Sequence, residues 1–426
     1  MSILDRVIDR RGSDSVKWSQ YGDALPMWVA DMDFPAPEPV IAALQRRVEH
    51  GIFGYGIEPP ELRPLLVERL QRLYGWTVAP EALLFLPGIV TGFNQAVRAV
   101  TQPGDGVLVN TPVYHPMLWA PENADCALQT VELTCRSDGS YELDYESFEA
   151  SIRESTRIFM LCNPQNPTGR VFRRDELTRM ADICLARGVV ICSDEIHCDL
   201  VFSGHQHVPI ASLSPEIGAR SITFMAPSKT YNIAGIKASV AIIEDEALRT
   251  QFEKTGRGLV PHVDVLGFTA MLAAYREGQP WLDEVLPYLE ANRDHLSDFV
   301  STRLPGISMT PLEGTYLAWL DCREFLGAVR AANAKEFFLT EAEVALEDGS
   351  IFGKGGEGFV RLNFACPRAT LVEALTCMET AVQGRLGPRG GGVASGNSRD
   401  THGRQRLCID SRHRGVDPLE WYRGEV

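Results

Sequence analysis

The sequence predicts an α/β protein: a large domain with a mostly parallel sheet sandwiched by helices, plus a smaller α+β domain. Three observations predict it. Through the first 280 residues, short apolar runs alternate with amphipathic helical stretches, as strands covered on both faces require. Past Pro280 the pattern changes to one long helix and strands of alternating character. The chain has 426 residues and 45% hydrophobic content, enough for a large core, yet no apolar stretch reaches the length of a membrane span.

The elements follow in order. Leu86-Pro-Gly-Ile-Val-Thr-Gly92 leads into a helical stretch, Phe93 to Val100. Val107 to Asn110 reads as a strand after the turn Pro103-Gly-Asp105, and Arg157 to Leu161 as another, closed by Asn163-Pro164. Asp175 to Ala186 has helical spacing, with Leu177, Met180, Ile183 and Cys184 on one face and Gly188 as the stop. Val189 to Cys192, Ile222 to Met225 and Ala238 to Ile243 read as further buried strands. Trp281 to Arg303 reads as the long helix, and Tyr316 to Asp321 and Phe359 to Phe364 as half-exposed strands. The expected division is an N-terminal segment, 1–45, packing with the small domain; a large domain, 46–280; a small domain, 281–386; and a tail, 387–426, which is Gly-rich and without apolar periodicity and reads as disordered.

Charge and cysteine usage narrow the function classes. The formal charge is −15, and the stretch from Gly384 onward is itself about +3, so the body is near −18. Such a balance repels a phosphate backbone and excludes general nucleic-acid binding. Ten Cys stand singly with no CxxC pair, and the N-terminal residues carry charges where a secretion signal has an apolar centre; both suit a reducing cytoplasm.

In a parallel sheet, ligands sit beyond the carboxyl ends of the strands, and four features follow four strands. Asp194 ends Ile191-Cys-Ser-Asp194; alone it is equally a helix cap or an ion-pair partner. Asn163-Pro-Gln-Asn-Pro-Thr-Gly169 is a turn stiffened by two Asn-Pro pairs. Lys229, in Ala226-Pro-Ser-Lys229, stands amid small and apolar residues, where an amine can become a nucleophile. Leu86 to Gly92 is a Gly-rich helix entry that can hold an anion. An acid, an Asn turn, a Lys nucleophile and a phosphate-ready helix end together describe a pyridoxal 5'-phosphate site, in which the acid keeps the pyridine nitrogen protonated and the Lys forms a Schiff base.

At these residues the chain resembles the fold-type I pyridoxal-phosphate enzymes of the class I/II aminotransferase superfamily, whose sheet is aspartate-aminotransferase-like. More closely it resembles the MalY/PatB branch of cystathionine β-lyases, or C–S lyases. The resemblance runs from about Leu4 to Gln383. The branch markers are Met27-Trp-Val-Ala-Asp-Met-Asp-Phe34, Phe53-Gly-Tyr-Gly56, Ser193-Asp-Glu-Ile-His197 and Phe359-Val-Arg-Leu-Asn-Phe-Ala-Cys-Pro-Arg368. The resemblance implies that Lys229 carries the cofactor, Asp194 pairs with the pyridinium nitrogen, and Asn166 bonds the phenolic oxygen. It implies His197 as a further ring-side partner and Tyr114 as the group stacked on the ring. Ile89, Val90, Ser228 and Lys237 are implied at the phosphate, and Arg361 and Asp31 at the substrate. Tyr55 is implied to reach the site of the other subunit of a homodimer, binding cofactor and substrate there. Two positions depart from the family pattern: Ala226 stands where many relatives have Ser, and Lys237 where many have Arg. Asp348 stands where a Pro-Gly turn is expected.

Other signals weigh less. Gly353-Lys-Gly-Gly-Glu-Gly358 matches GxGxxG, but a strand follows where a dinucleotide site needs a helix. His205 and His207 lack a third spaced ligand, so no metal is expected. Cys192 and Cys198 read as core, and Trp28 and Trp119 as either core or pocket lining. The expected activity is β-elimination from cystathionine or related cysteine S-conjugates, giving thiol, pyruvate and ammonia. The alternative is an aminotransferase, which needs the same Lys, Asp and Arg. A non-catalytic, cofactor-binding regulator is the third reading, disfavoured by the complete catalytic set.

Overall fold

The computed structural model describes residues 2–386; the expected disordered tail, 387–426, lies outside them. Seven strands form the main sheet: β1 (Leu83–Leu86), β2 (Gly106–Thr111), β3 (Ala127–Glu132), β4 (Thr156–Cys162), β5 (Val190–Asp194), β6 (Ser221–Met225) and β7 (Ser239–Ile242), in the order β1-β7-β6-β5-β4-β2-β3. β7 runs antiparallel to both its neighbours and the other contacts are parallel. One reversed strand therefore leaves the carboxyl ends of β1, β2, β4, β5 and β6 on a single edge.

Side chains alternate between two apolar layers because a strand turns successive residues to opposite faces. Ile158 and Met160 pack with Phe93, Ala96 and Val97 of the helix Ile89–Val100. Phe159 and Leu161 pack with Leu177, Met180, Ala181 and Cys184 of the helix Arg174–Ala186. The helix expected from Phe93 begins four residues earlier, at Ile89. Gly92 lies inside it and permits the close approach to the sheet: a Cβ there would stand 2.5 Å from the Phe224 ring. Overpacking of this kind costs about 1–3 kcal/mol.

The small sheet contains β8 (Ser308–Met309), β9 (Leu317–Asp321), β10 (Glu347–Asp348) and β11 (Phe359–Asn363), in the order β8-β9-β11-β10, all antiparallel. The long helix Gln279–Arg303 and the helix Arg368–Leu386 flank it. The expectation of half-exposed strands is corrected here: every residue of β9 and β11 except Asp321 is buried. One face carries Leu320, Val360 and Leu362 into the small-domain core. The other carries Trp319 and Phe359, stacked 5.0 Å apart, into the layer that holds Leu108 and Phe159 of the main sheet.

The N-terminal segment joins both parts. Leu25–Pro26 pairs in parallel with Val344–Ala345, and the Asn363 N–H donates to the Met27 carbonyl at 2.8 Å. Residues 28–34 then form a strap. The Asn232 side chain accepts from the Met32 N–H at 2.9 Å and donates to the Phe34 carbonyl at 2.7 Å. Beneath the strap Asp33 is buried, with Lys17 Nζ at 2.7 Å, Arg10 Nη1 at 2.7 Å and Trp18 Nε1 at 2.9 Å.

Candidate active site

Three neighbouring strands bring the central residues to one edge. Cys162 pairs with Asp194 across β4 and β5, and Asp194 pairs with Phe224 across β5 and β6. The turn after β4 therefore lies beside Asp194, and Lys229, in the short helix Pro227–Thr230, follows β6.

Asp194 is 3% exposed. Its Oδ1 accepts from the Ile196 N–H at 3.1 Å. Burial pushes its carboxyl up to about 7; the Ile196 N–H opposes the rise, Glu195 adds to it and Lys229 opposes it. A buried carboxylate so weakly compensated calls for a cation. Glu195 supplies no competing site, because its carboxylate is taken up by His207 Nε2 at 2.8 Å, Ser193 Oγ at 2.8 Å and the Ile210 N–H at 3.2 Å. That bond, with His205 exposed, also shows what the HxH pair does: one His serves the core and the other faces solvent. His197 is buried and held neutral, its pKa lowered to about 3 by burial, then by Lys229 and Arg361; its Nδ1 has no partner among the described residues.

The Asn-Pro turn divides its amides by function. Asn163 Oδ1 accepts from the Phe172 N–H, and Gln165 bonds the Pro112 carbonyl and Thr168, so both shape the backbone. Asn166 instead accepts at Oδ1 from Arg361 Nη1 at 3.0 Å. Arg361, 2% exposed in the middle of β11, also donates from Nη2 to the Trp28 carbonyl at 3.0 Å, and its guanidinium lies 5.0 Å from the Phe352 ring centroid. A guanidinium has five N–H donors, and these two bonds use two of them. Arg361 Nε has no partner among the described residues.

Lys229 Nζ donates to the Ala30 carbonyl at 2.7 Å, and the Tyr316 hydroxyl donates to the same oxygen at 2.9 Å. Ile89 and Val90 open their helix after Gly88, so their N–H groups lack intrahelical acceptors by geometry. Tyr114 is half-buried after β2, and Ser228 is half-buried beside Lys229. Three further expected site residues have other surroundings within a single chain. Tyr55 is fully exposed and Lys237 is exposed. The Asp31 carboxylate is engaged by Arg10, Oδ1 at 3.2 Å and Oδ2 at 3.1 Å, with Lys17 Nζ at 3.5 Å. Trp28 is buried and bonds the Lys17 carbonyl, so its ring is core while its carbonyl meets Arg361. Asp348 caps the turn at Ser350 and accepts from Asn333 Nδ2, which gives it a structural role. Gly353 to Gly358 form a turn with positive φ at three glycines.

Sequence reasoning did not find the Ala30 and Trp28 carbonyls or Tyr316. The strap was visible only as a marker, and backbone acceptors leave no trace in residue identity. The set fits pyridoxal phosphate. The buried, weakly compensated Asp194 carboxylate would suit a protonated ring nitrogen, the helix N-terminus at Ile89 with Ser228 would suit a phosphate, and the remaining donors of Arg361 would suit a carboxylate.

Comparisons with known proteins agree with that fit. Residues 26–377 match the family model described as aminotransferase class I and II. The chain is 42% identical to cystathionine beta-lyase PatB of Bacillus subtilis (strain 168) over 388 residues, 89% of this chain and 99% of that protein. It is 31% identical to protein MalY of Escherichia coli (strain K12), over 90% and 99% of the two chains. The crystal structure of the pyridoxal-phosphate-bound C–S lyase from Staphylococcus hominis superposes with a TM-score of 0.85 at 33% identity, covering 89% of this chain and 97% of that one.

Proposed function

The chain belongs to the class I and II aminotransferase family, on the branch of PatB and MalY, and from that premise we propose that it is a pyridoxal-phosphate-dependent carbon–sulfur β-lyase. Its substrate is L-cystathionine or a related cysteine S-conjugate, and its products are a thiol, pyruvate and ammonia. The observation that carries this reading is 42% identity to a cystathionine β-lyase across nearly all of both chains.

When bound, pyridoxal phosphate supplies the electron sink that acidifies the substrate Cα–H. The residues do the rest. Arg361 grips the α-carboxylate with its remaining donors, and Asn166, oriented by the same guanidinium, turns its NH2 to the cofactor phenolic oxygen. Asp194 holds a proton at the pyridine nitrogen, with His197 beside the ring. Lys229 would anchor the cofactor and, as a free amine, would take the Cα proton at Nζ, which the Ala30 carbonyl, shared with the Tyr316 hydroxyl, holds in place. Tyr114 covers the ring, and Ile89, Val90 and Ser228 hold the phosphate, with Lys237 as a point charge nearby.

The large domain spans 46–280 and the small domain 281–386, and 1–45 pairs with the small domain at Leu25–Pro26 while Asn232 of the large domain holds residues 32–34. The working form is a cytoplasmic homodimer. Tyr55 crosses to the partner's site, which accounts for the exposure of Ile52, Phe53, Tyr55, Ile57 and Leu259 on a single chain. Among the described residues no helix is long and apolar enough to cross a membrane.

The test is L-cystathionine without any keto acid. Pyruvate release is the expected result; turnover only on adding a keto acid would make the enzyme an aminotransferase instead. That second reading stands on the shared Lys229, Asp194 and Arg361.

A further inference from the structure

Behind Lys229 lies a buried polar cluster that the proposed chemistry does not use. Asp199 follows His197 by two residues, and its carboxylate is 6% exposed. Oδ2 accepts from the Thr230 hydroxyl at 3.0 Å, and Thr230 is fully buried and next in sequence to Lys229. Oδ1 accepts from Arg69 Nη2, and the Tyr74 hydroxyl stands 3.5 Å away. The Arg69 guanidinium lies 5.0 Å from the centre of the Tyr275 ring, so it is fixed on both sides.

Each partner comes from a different part of the chain. Arg69 and Tyr74 belong to the helix Leu62–Tyr74, and Tyr275 to the helix Val265–Glu277. Thr230 ends the short helix that carries Lys229. Asp199 closes the turn that begins at Asp194, a turn held by Cys198 N–H to the Glu195 carbonyl and Leu200 N–H to the His197 carbonyl. The two turns that hold the amine and the acid are thus joined side chain to side chain, apart from the sheet's own ladder.

We propose that Asp199 is a positioning residue that, through Thr230, holds the Lys229 turn at a fixed offset from the Asp194 turn. The acid and the amine must meet opposite ends of one rigid ring, so their spacing is set by the cofactor and must be matched by the protein. A hydrogen bond from Thr230 to a carboxylate pinned by Arg69 does this without touching the ring. A misplacement of about 1 Å can cost on the order of 100-fold in rate. The inference rests on the reading that Lys229 carries the cofactor.

The holoenzyme with Thr230→Val tests it, because Val keeps the shape and removes only the hydroxyl. Expected are a kcat lowered about tenfold with KM within about twofold, and a shifted pH midpoint for the cofactor's visible band. Thr230→Ser restores both. Asp199→Asn, which keeps shape and a weaker acceptor, falls between. An unshifted midpoint in Thr230→Val, or equal damage in the Val and Ser variants, overturns the proposal. Lys229→Ala is the separate control: its loss of the visible band supports the cofactor assignment whatever Thr230 does, and its retention sinks the assignment itself.

Discussion

Arg361 donates to the Asn166 side-chain oxygen at 3.0 Å, from a small-domain strand to a large-domain turn 195 residues away. One bond thus ties the residue proposed to grip the substrate to the residue proposed to face the cofactor. It fixes which end of the Asn166 amide points away from Arg361, and so which end can donate to a phenolate. Arg361→Lys should raise KM for the amino-acid substrate about 10- to 100-fold, since a single ammonium cannot replace the fork and the bonds to Asn166 and Trp28. Steady-state kinetics measures it, and an unchanged KM would remove Arg361 from the carboxylate site.

Asp194 gives a pH prediction. Burial raises its folded-state pKa to about 7 from 3.8, so between those values the folded chain holds a proton that the unfolded chain has released. Without cofactor, this group's contribution to stability is therefore full at low pH and is lost as pH rises from about 4 to about 7, by at most about 4 kcal/mol. A protonated pyridine nitrogen offsets the loss, so the gain in Tm on adding cofactor should grow across that window. In Asp194→Asn the growth should vanish; its persistence would place the effect elsewhere.

Lys17 is fully buried against Asp33. Burial alone would raise the Asp33 pKa, but Lys17, Trp18 and Arg10 bring it below its ordinary value. Lys17→Met leaves the carboxylate with Arg10 and Trp18 only. It should cost about 3 kcal/mol, the lower end for breaking a buried pair. Thermal unfolding measures this, and a change in Tm under about 1 °C would show the network to be energetically neutral.

Tyr55→Ala removes an exposed ring and should leave the fold of a single chain intact. On the proposed homodimer activity should fall at least tenfold, because Tyr55 is the side chain proposed to reach the partner's site. Sedimentation together with turnover decides it. A fully active variant would confine Tyr55 to its own chain.

Much of this was legible before the fold. Strands buried on both faces leave uninterrupted apolar runs, so β2, β4, β5, β6 and β7 stood out within a residue or two. β1 hid because four residues beside Pro-Gly make too short a run, and β3 because it is an edge strand with polar Gln129 and Thr130. Lys229, Asp194 and Asn166 were visible because each sits at a strand end next to turn-forming residues. Asp31 was placed by its marker, yet its carboxylate goes to Arg10 and Lys17, a choice set by packing of the segment before it. Asp199 and Thr230 were invisible for a related reason: a polar pair 31 residues apart has no period to betray it.

The pairing of Leu25–Pro26 with Val344–Ala345 has a consequence for the order of events on the ribosome. Every strand of the main sheet has been translated by Ile242, about 100 residues before Val344 is added. At ordinary elongation rates that interval is about 5–20 s. The segment at Leu25–Pro26 is therefore made before the main sheet and is among the last parts to be seated. Met27 and the Trp28 carbonyl spend that interval without Ala345, Asn363 and Arg361, the groups they bond in the folded chain.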